Sequence, residues 1–307
     1  MRASIIICTF NRSENLTQAL ESLLKLSVPR ALEWEVLIVD NNSTDSTKRI
    51  AESFTARRPE LFRYIFEGRQ GKSFALNTGI RAASGEILAF SDDDVTFDSQ
   101  WLTQLIGTFN EFDCAGVGGK IVPVWSSPKP LWFQEDGLHK LSPAIVSFNL
   151  GDSPCPLRTA PFGANMAFRK EMFLKYGEFR ADLGLDAERR IGAEDSEFCR
   201  RLFKGGETMI YAPLAIVYHP VEKRRTEKRY FQDWYLGRGR ASIRELGIPS
   251  DAIRYLGVPR YLLAGLFRSA LKWLLSFDSK RRFYYKLEVC ETMGRIQEAR
   301  ITPPPRQ

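Results

Sequence analysis

Three consecutive aspartates, Asp92-Asp93-Asp94, close a short apolar run that begins at Ile87. Ile-Leu-Ala-Phe after Ser84-Gly85 reads as a buried strand, whereas adjacent carboxylates repel and cost several kcal/mol to desolvate unless a cation or hydrogen-bond donors meet them. The carboxylates therefore belong at the strand's exposed C-terminal end. In open α/β sheets ligands bind at that edge, and an oxygen-only cluster suits a hard divalent ion, Mg2+ or Mn2+, of the kind that also holds a diphosphate. Taken alone, three aspartates in a row are more often a solvated acidic turn.

The elements that must position them decide between the two readings. Ser4 to Cys8 is a β-branched strand followed by Thr9-Phe10-Asn11-Arg12, and Ser13 is placed to cap a helix running to about Leu26. Glu35 to Val39 is a second strand, ending in Asp40-Asn41-Asn42-Ser43, with Ser43 or Thr44 as cap for a helix through about Ala56. Leu61 to Phe66 is a third. A helix from about Lys72 to Ala83, with Phe74, Ala75, Leu76 and Ile80 at helical spacing, leads to the Ile87 strand. Such alternation predicts a parallel sheet with right-handed crossovers and helices on both faces, so all strand C-termini share one rim. Thr9-Phe10-Asn11, Asp40-Asn41-Asn42 and Asp92-Asp93-Asp94 converge there, which favours a ligand site. Thr9 and Asn11 by themselves are equally ordinary turn residues.

From Gly107 the alternation stops. Ala115 to Val124 reads as a strand, and residues 125 to 160, with Trp125, Trp132, Phe133 and several prolines, as an irregular aromatic segment facing either substrate or solvent. Pro161 to Phe168 returns as a strand, followed by a helix at about Lys170 to Tyr176. Another helix begins near Gly192 with Glu194 and Asp195 in its first turn, where the helix dipole favours acids whatever their use. Thr208 to Pro213 and Ala215 to Tyr218 are short strands, the second followed by His219, one of two histidines. Helical patterns near 226 to 246, 251 to 277 and 280 to 300 precede a loose Thr302-Pro303-Pro304-Pro305 tail.

With 307 residues, 44% of them hydrophobic, the chain can bury one large core with an appendage. Five scattered cysteines without a Cys-x-x-Cys pair indicate neither zinc nor disulfides and fit a reducing cytoplasm. No run is long and apolar enough to cross a membrane. The net charge of +7 is uneven, because residues 221 to 307 hold 19 Lys and Arg against 9 Asp and Glu. A basic C-terminal region can meet nucleic acid, anionic lipid or a phosphorylated substrate; with no nucleic-acid reading motif, no nucleic-acid partner is expected. Pro259 to Phe277 is amphipathic, with Leu262, Leu263, Leu266, Phe267, Ala270, Trp273, Leu274 and Phe277 on one side and Arg260, Arg268 and Lys272 opposite, followed by Lys280-Arg281-Arg282. That is the pattern of a helix lying on an anionic membrane surface, peripheral on its inner face, or of one packed on a catalytic domain.

The ordered set of Thr9-Phe10-Asn11-Arg12, Val39-Asp40-Asn41-Asn42-Ser43-Thr44-Asp45, Gly71-Lys72-Ser73-Phe74-Ala75-Leu76-Asn77-Thr78-Gly79, Phe90-Ser91-Asp92-Asp93-Asp94, Gly163-Ala164-Asn165 and Glu194-Asp195 resembles the family 2 inverting glycosyltransferases with the GT-A fold, over roughly residues 3 to 220. The resemblance implies an α/β, Rossmann-like, mostly parallel sheet with helices on both faces. It places a catalytic domain at 1–220, with its nucleotide-sugar half at about 1–110 and its acceptor half at about 111–220, followed by a basic helical region at 221–307. It further implies a nucleotide diphosphate sugar donor, most simply a UDP-sugar, a divalent cofactor, Mn2+ or Mg2+, and a saccharide or lipid-linked saccharide acceptor.

By the same resemblance Thr9, Asn11, Asp40, Lys72, Asn77, Asp92 and Asp93 meet the donor, and Asp40 its nucleobase. Asp94, with Asp92 and His219, holds the metal; Gly163 and Asn165 face the acceptor; Asp195 is the base, assisted by Glu194. Lys72 is alternatively a solvated helix-start residue, and His219 a structural one. Arg238 and Arg240 clamp phosphate oxygens or face solvent. A nucleotidyltransferase of similar architecture would want a glycine-rich first loop, which Thr9-Phe10-Asn11-Arg12 is not. An aspartyl phosphatase would want its carboxylates on the first strand. A catalytically inactive sugar-nucleotide-binding subunit would have no use for both Asp94 and Asp195.

Overall fold

The computed structural model describes residues 1–184 and 192–301, and the chain divides into two units. Among the described residues the first comprises 1–124, 146–184 and 194–220, and the second 125–145, 192–193 and 221–301. The tail at Thr302 to Pro305 lies outside the described residues.

In the first unit β1 (Arg2–Thr9), α1 (Ser13–Leu23), β2 (Glu33–Asp40), α2 (Thr47–Arg57), β3 (Phe62–Phe66), α3 (Lys72–Ala82) and β4 (Ile87–Asp92) alternate as the sequence predicts. Ile5, Ile6 and Ile7, Val36 to Val39 and Ile87 to Phe90 are all buried, which a strand covered on both faces requires. The order β3-β2-β1-β4 is parallel throughout. β5 (Thr96–Phe97), α4 (Trp101–Glu111), β6 (Gly116–Trp125), β7 (Cys155–Pro156), β8 (Met166–Arg169), α5 (Lys170–Tyr176), α6 (Glu194–Lys204) and β9 (Met209–Val221) follow. The sheet continues beyond β4 as β8-β6-β9-β5, with β7 alongside β9. There β8 is antiparallel to β4 and β6, and β5 and β7 are antiparallel to β9. The expectation of a mostly parallel sheet thus describes its first half, because no helical crossover joins β4 to the strand beside it.

Three local readings change. The helix α4 runs through Gly107, which faces open space, and buries Trp101, Leu102, Leu105, Ile106 and Phe109 at helical spacing. Ser13 and Ser43 cap nothing: α1 and α2 start after Arg12 and Ser46 without side-chain caps, and Asp45 Oδ1 instead accepts from the Thr47 N–H at 2.9 Å. β9 is one strand with Pro213 inside it, since proline keeps an extended φ and forfeits only its own N–H.

The second unit holds α7 (Lys228–Leu246), the hairpin β10 (Arg254–Tyr255) and β11 (Val258–Pro259), α8 (Arg260–Leu275) and α9 (Ser279–Ile301). The helix expected from 251 begins only at Arg260, because Leu256 and Gly257 both take positive φ and turn the chain into a hairpin. The backbones of α7 and α9 approach at two glycines: a Cβ at Gly239 would lie 1.9 Å from Glu291 O, and one at Gly294 2.0 Å from Leu236 O. Trp132 and Phe133 pack edge-on to Phe231. The aromatic segment 125–145 therefore belongs to this unit's core, and the boundary expected at 220 is not the only one. Arg240 pairs with the buried Glu298 at 3.2 Å, and Arg238 lies 3.8 Å from Glu291 and over the Trp234 ring, so both arginines make ion pairs within the unit, which neither the phosphate-clamp nor the solvent-facing reading anticipated.

Candidate active site

Register places the site. Thr9 stands opposite Asp40 and Cys8 opposite Asp92, so three neighbouring parallel strands end level with one another. β8 enters antiparallel to β4, which brings Gly163 to Asn165 to the same edge, and the Ser91 hydroxyl donates to Ala164 O at 2.7 Å. Pairing of Thr96 with Tyr218 sets the chain before β5 beside the end of β9, and there His219 Nε2 lies 3.6 Å from Asp94 Oδ1.

Within this rim Lys72 is a hub. Its Nζ donates to Asp92 Oδ1 at 2.6 Å, and a Cβ on Gly163 would stand 3.6 Å from both that Nζ and Asp195 Oδ2. Burial alone would lower the lysine's pKa, but Asp92, Glu194 and Asp195 outweigh it and hold the ammonium charged. The loop before α3 is fixed by Asn41, whose Oδ1 accepts from Gly71 N–H at 2.8 Å and whose Nδ2 donates to Arg69 O at 2.6 Å. Asp195 is fixed through both oxygens, by Gly163 N–H at 3.0 Å and by Ser196 N–H at 2.7 Å.

Two kinds of carboxylate share the sheet. At its far edge Glu35 accepts from Ser4 Oγ, Ser84 N–H and Arg63, and although burial opposes them these bonds hold it down at about 2. At the rim burial wins: it pushes Glu194 up to about 7, helped by the charge on Asp195, and Asp93 up to about 6 against the pull of Arg12. Asp195 is raised by burial as well. Asp92 is lowered, because Lys72 overcomes its burial. Glu194 Oε2 is buried without a hydrogen-bond partner among the described residues. Carboxylates raised by burial in this way, beside a fold that satisfies Glu35 so fully, cluster at functional sites.

Asp92, Asp94 and His219 each offer a ligand atom within 4.8 Å of the others. Two carboxylates and an imidazole in mutual reach fit a divalent ion.

The remaining expected residues divide. Thr9 is buried at the end of β1 beside Asp93, and Asp40 is buried with its oxygens taken by Ser43 N–H at 3.0 Å and the Tyr64 hydroxyl at 3.0 Å. Asn11, at φ 51°, uses its carboxamide oxygen to accept from Thr44 N–H at 2.7 Å and Asp45 N–H at 3.3 Å, tying the first two strand-end loops together. Asn77 exchanges two hydrogen bonds with the backbone of Phe179 and so fastens that segment. Asn165 is fully buried; its Oδ1 accepts from Trp101 Nε1–H at 2.8 Å, and its Nδ2 donates to Lys120 O and Ala215 O at 2.9 and 2.8 Å. That spends both its N–H groups and closes it to an acceptor, correcting the expectation. One residue was given no role from the sequence: Arg12 Nη1 bridges Asp93 at 3.1 Å and Asp94 at 2.9 Å. Its signal was there, a cation in the turn after β1 facing three carboxylates.

A GT-A sheet with a carboxylate-rich rim is the class this architecture defines. Among solved structures it is similar to the mannosyltransferase PcManGT from Pyrobaculum calidifontis in complex with GDP-Man and Mn2+ (TM-score 0.66, 18% identity, covering 97% of this chain and 86% of that one). It is also similar to S. aureus TarS 1-349 (TM-score 0.53, 18% identity, 97% and 90% covered). Residues 4–177, more than half of the chain, match the model of Glycosyl transferase family 2, and the chain belongs to that family; it is a glycosyltransferase. Among named relatives, a glucosyl-dolichyl phosphate glucuronosyltransferase of Haloferax volcanii is 28% identical over 231 residues, 74% of this chain and 72% of that protein. The succinoglycan biosynthesis protein ExoM of Rhizobium meliloti is 27% identical over 226 residues, 73% and 69%.

Proposed function

We propose that the enzyme transfers a glycosyl group from a nucleoside diphosphate sugar, with UDP as its nucleotide, to a hydroxyl of a saccharide or lipid-linked saccharide, inverting the anomeric centre. The observation that carries this reading is the pair Glu194-Asp195, buried and raised in pKa, with Asp195 oriented by two backbone N–H groups and facing Lys72. A hydroxyl is a poor nucleophile near neutral pH, and a carboxylate raised by burial is a competent base for it. In one displacement the acceptor oxygen bonds to the anomeric carbon, its proton passes to Asp195, and the bond from that carbon to the diphosphate oxygen breaks, releasing the nucleoside diphosphate.

Lys72 keeps the ionised form of Asp195 accessible and, through Asp92, links the base to the donor end of the rim. Arg12 holds Asp93 and Asp94 in place, and the nucleoside is assigned to the ends of β1 and β2 at Thr9 and Asp40. Gly163 leaves room where the acceptor hydroxyl must approach Asp195. A divalent ion held by Asp94, Asp92 and His219 would supply positive charge against that growing on the diphosphate. Neighbouring structures carrying GDP-Man or UDP-GlcNAc and a relative named for a dolichyl phosphate substrate support the donor and acceptor classes.

The test is a panel of UDP- and GDP-sugars with Mn2+ or Mg2+, reading released nucleoside diphosphate for wild type and Asp94→Asn. Release from one donor that EDTA and Asp94→Asn both abolish is expected; release that ignores both refutes the metal role, and release only from GDP-sugars refutes the UDP assignment.

A further inference from the structure

The helix α8 is apolar on two sides, and only one is used. Its inner side packs on α9: Leu262 is buried, Leu266 and Trp273 are half-buried, a Cβ on Gly265 would lie 3.9 Å from Thr292, and Lys286 sits over the Trp273 ring. At about 100° per residue, Leu263, Phe267, Leu271, Leu274 and Leu275 fall on a separate arc roughly 100° to 220° away from Leu262. All five are exposed, Phe267 by 70% and Leu274 by 65%, and Phe277 just beyond the helix by 100%. The apolar face expected from the sequence is thus split, and its outer part gains Leu271 and Leu275.

The charges around this arc are mostly positive. Arg260 lies within it and Arg268 at its border, both exposed; Lys272 is next, and Lys280, Arg281 and Arg282 follow, all exposed, while α8 contains no acidic residue. Asp278 and Glu288 are the acids nearby, the latter 3.9 Å from Lys272. Among the described residues no helix is long and apolar enough to cross a membrane. A second copy of the chain is a poor occupant, since a two-fold pairing of this face would set its cationic flanks against those of the other copy.

We infer that the outer face of α8 docks on a bilayer containing anionic phospholipid, with the leucines and phenylalanines entering the acyl boundary and Arg260, Arg268 and the 280–282 cluster meeting headgroup phosphates. The inference is independent of the transfer reaction and is read without turnover.

The experiment is co-sedimentation of the full chain with vesicles of phosphatidylcholine alone or of phosphatidylcholine with phosphatidylglycerol. Wild type sediments with the anionic vesicles, is released by salt, and stays in the supernatant with phosphatidylcholine alone. Arg260→Glu/Arg268→Glu and Phe267→Ser/Leu271→Ser each weaken binding by at least about tenfold. Both pairs face solvent, and matched circular dichroism melts confirm the fold. Should the serine variant unfold, the arginine variant and the lipid-charge dependence of wild type still decide. Absence of sedimentation, equal binding to both vesicles, or variants that bind like wild type overturns the inference. So does a dimer in light scattering that either variant disperses.

Discussion

Replacing Asn165 by alanine separates a structural residue from an acceptor ligand. The side chain is fully buried and holds together α4, β6 and β9 through Trp101 Nε1, Lys120 O and Ala215 O. Truncation strands all three groups at about 1–3 kcal/mol each, and because water can enter the vacated space the total falls near the lower end, about 3–5 kcal/mol. In a unit of ~200 residues each kcal/mol moves Tm by about 2–4 °C, so the variant melts roughly 6–20 °C below wild type. Differential scanning calorimetry measures this. Kinetics well below the new Tm then show an acceptor KM close to that of wild type. A Tm within about 2 °C of wild type, with a raised acceptor KM, refutes the reasoning and returns Asn165 to the acceptor site.

Two further outcomes follow from the rim's charges. Lys72→Met removes the cation that holds Asp92 down and opposes the rise of Glu194 and Asp195; kcat falls by on the order of 10², and the acid limb of the pH–rate profile moves to higher pH. An unmoved limb removes Lys72 from the hub. Burial lifts Glu194 from 4.5 to about 7, so the folded protein keeps a proton that the unfolded chain has lost in that window. Metal-free wild type therefore loses stability relative to Glu194→Gln as pH rises from about 4.5 to about 7, measured as urea midpoints; a constant difference contradicts the raised pKa.

Much of the site was legible because apolar runs of four or five residues ending in polar clusters fix both the strands and the rim at their ends. Thr9, Asp40 and Asp92 meet for that reason alone. What the sequence could not show was burial. Asn77 and Asn165 carry the same carboxamide as a ligand-binding residue, and only the packing of Phe179 and Trp101 against them reveals the hydrogen bonds they make inside the protein. Arg12 was missed because its partners lie about eighty residues away, just past the end of β4. The hairpin before α8 hid in Leu256-Gly257, where a leucine takes a positive φ that its side chain disfavours. The aromatic segment 125–145 is irregular, as its composition reads, but its place in a core was hidden because its partners, Phe231 and Phe283, come roughly a hundred residues or more later.

The central claim is that Asp195 takes the acceptor's proton. Its most direct test is Asp195→Asn, with nucleoside diphosphate release measured at saturating donor and acceptor and donor affinity measured by calorimetry. A kcat lower by roughly 10² to 10⁴ with donor affinity unchanged is the expected result. Normal turnover at saturation, with donor affinity collapsed, would make Asp195 a binding residue and place the base elsewhere.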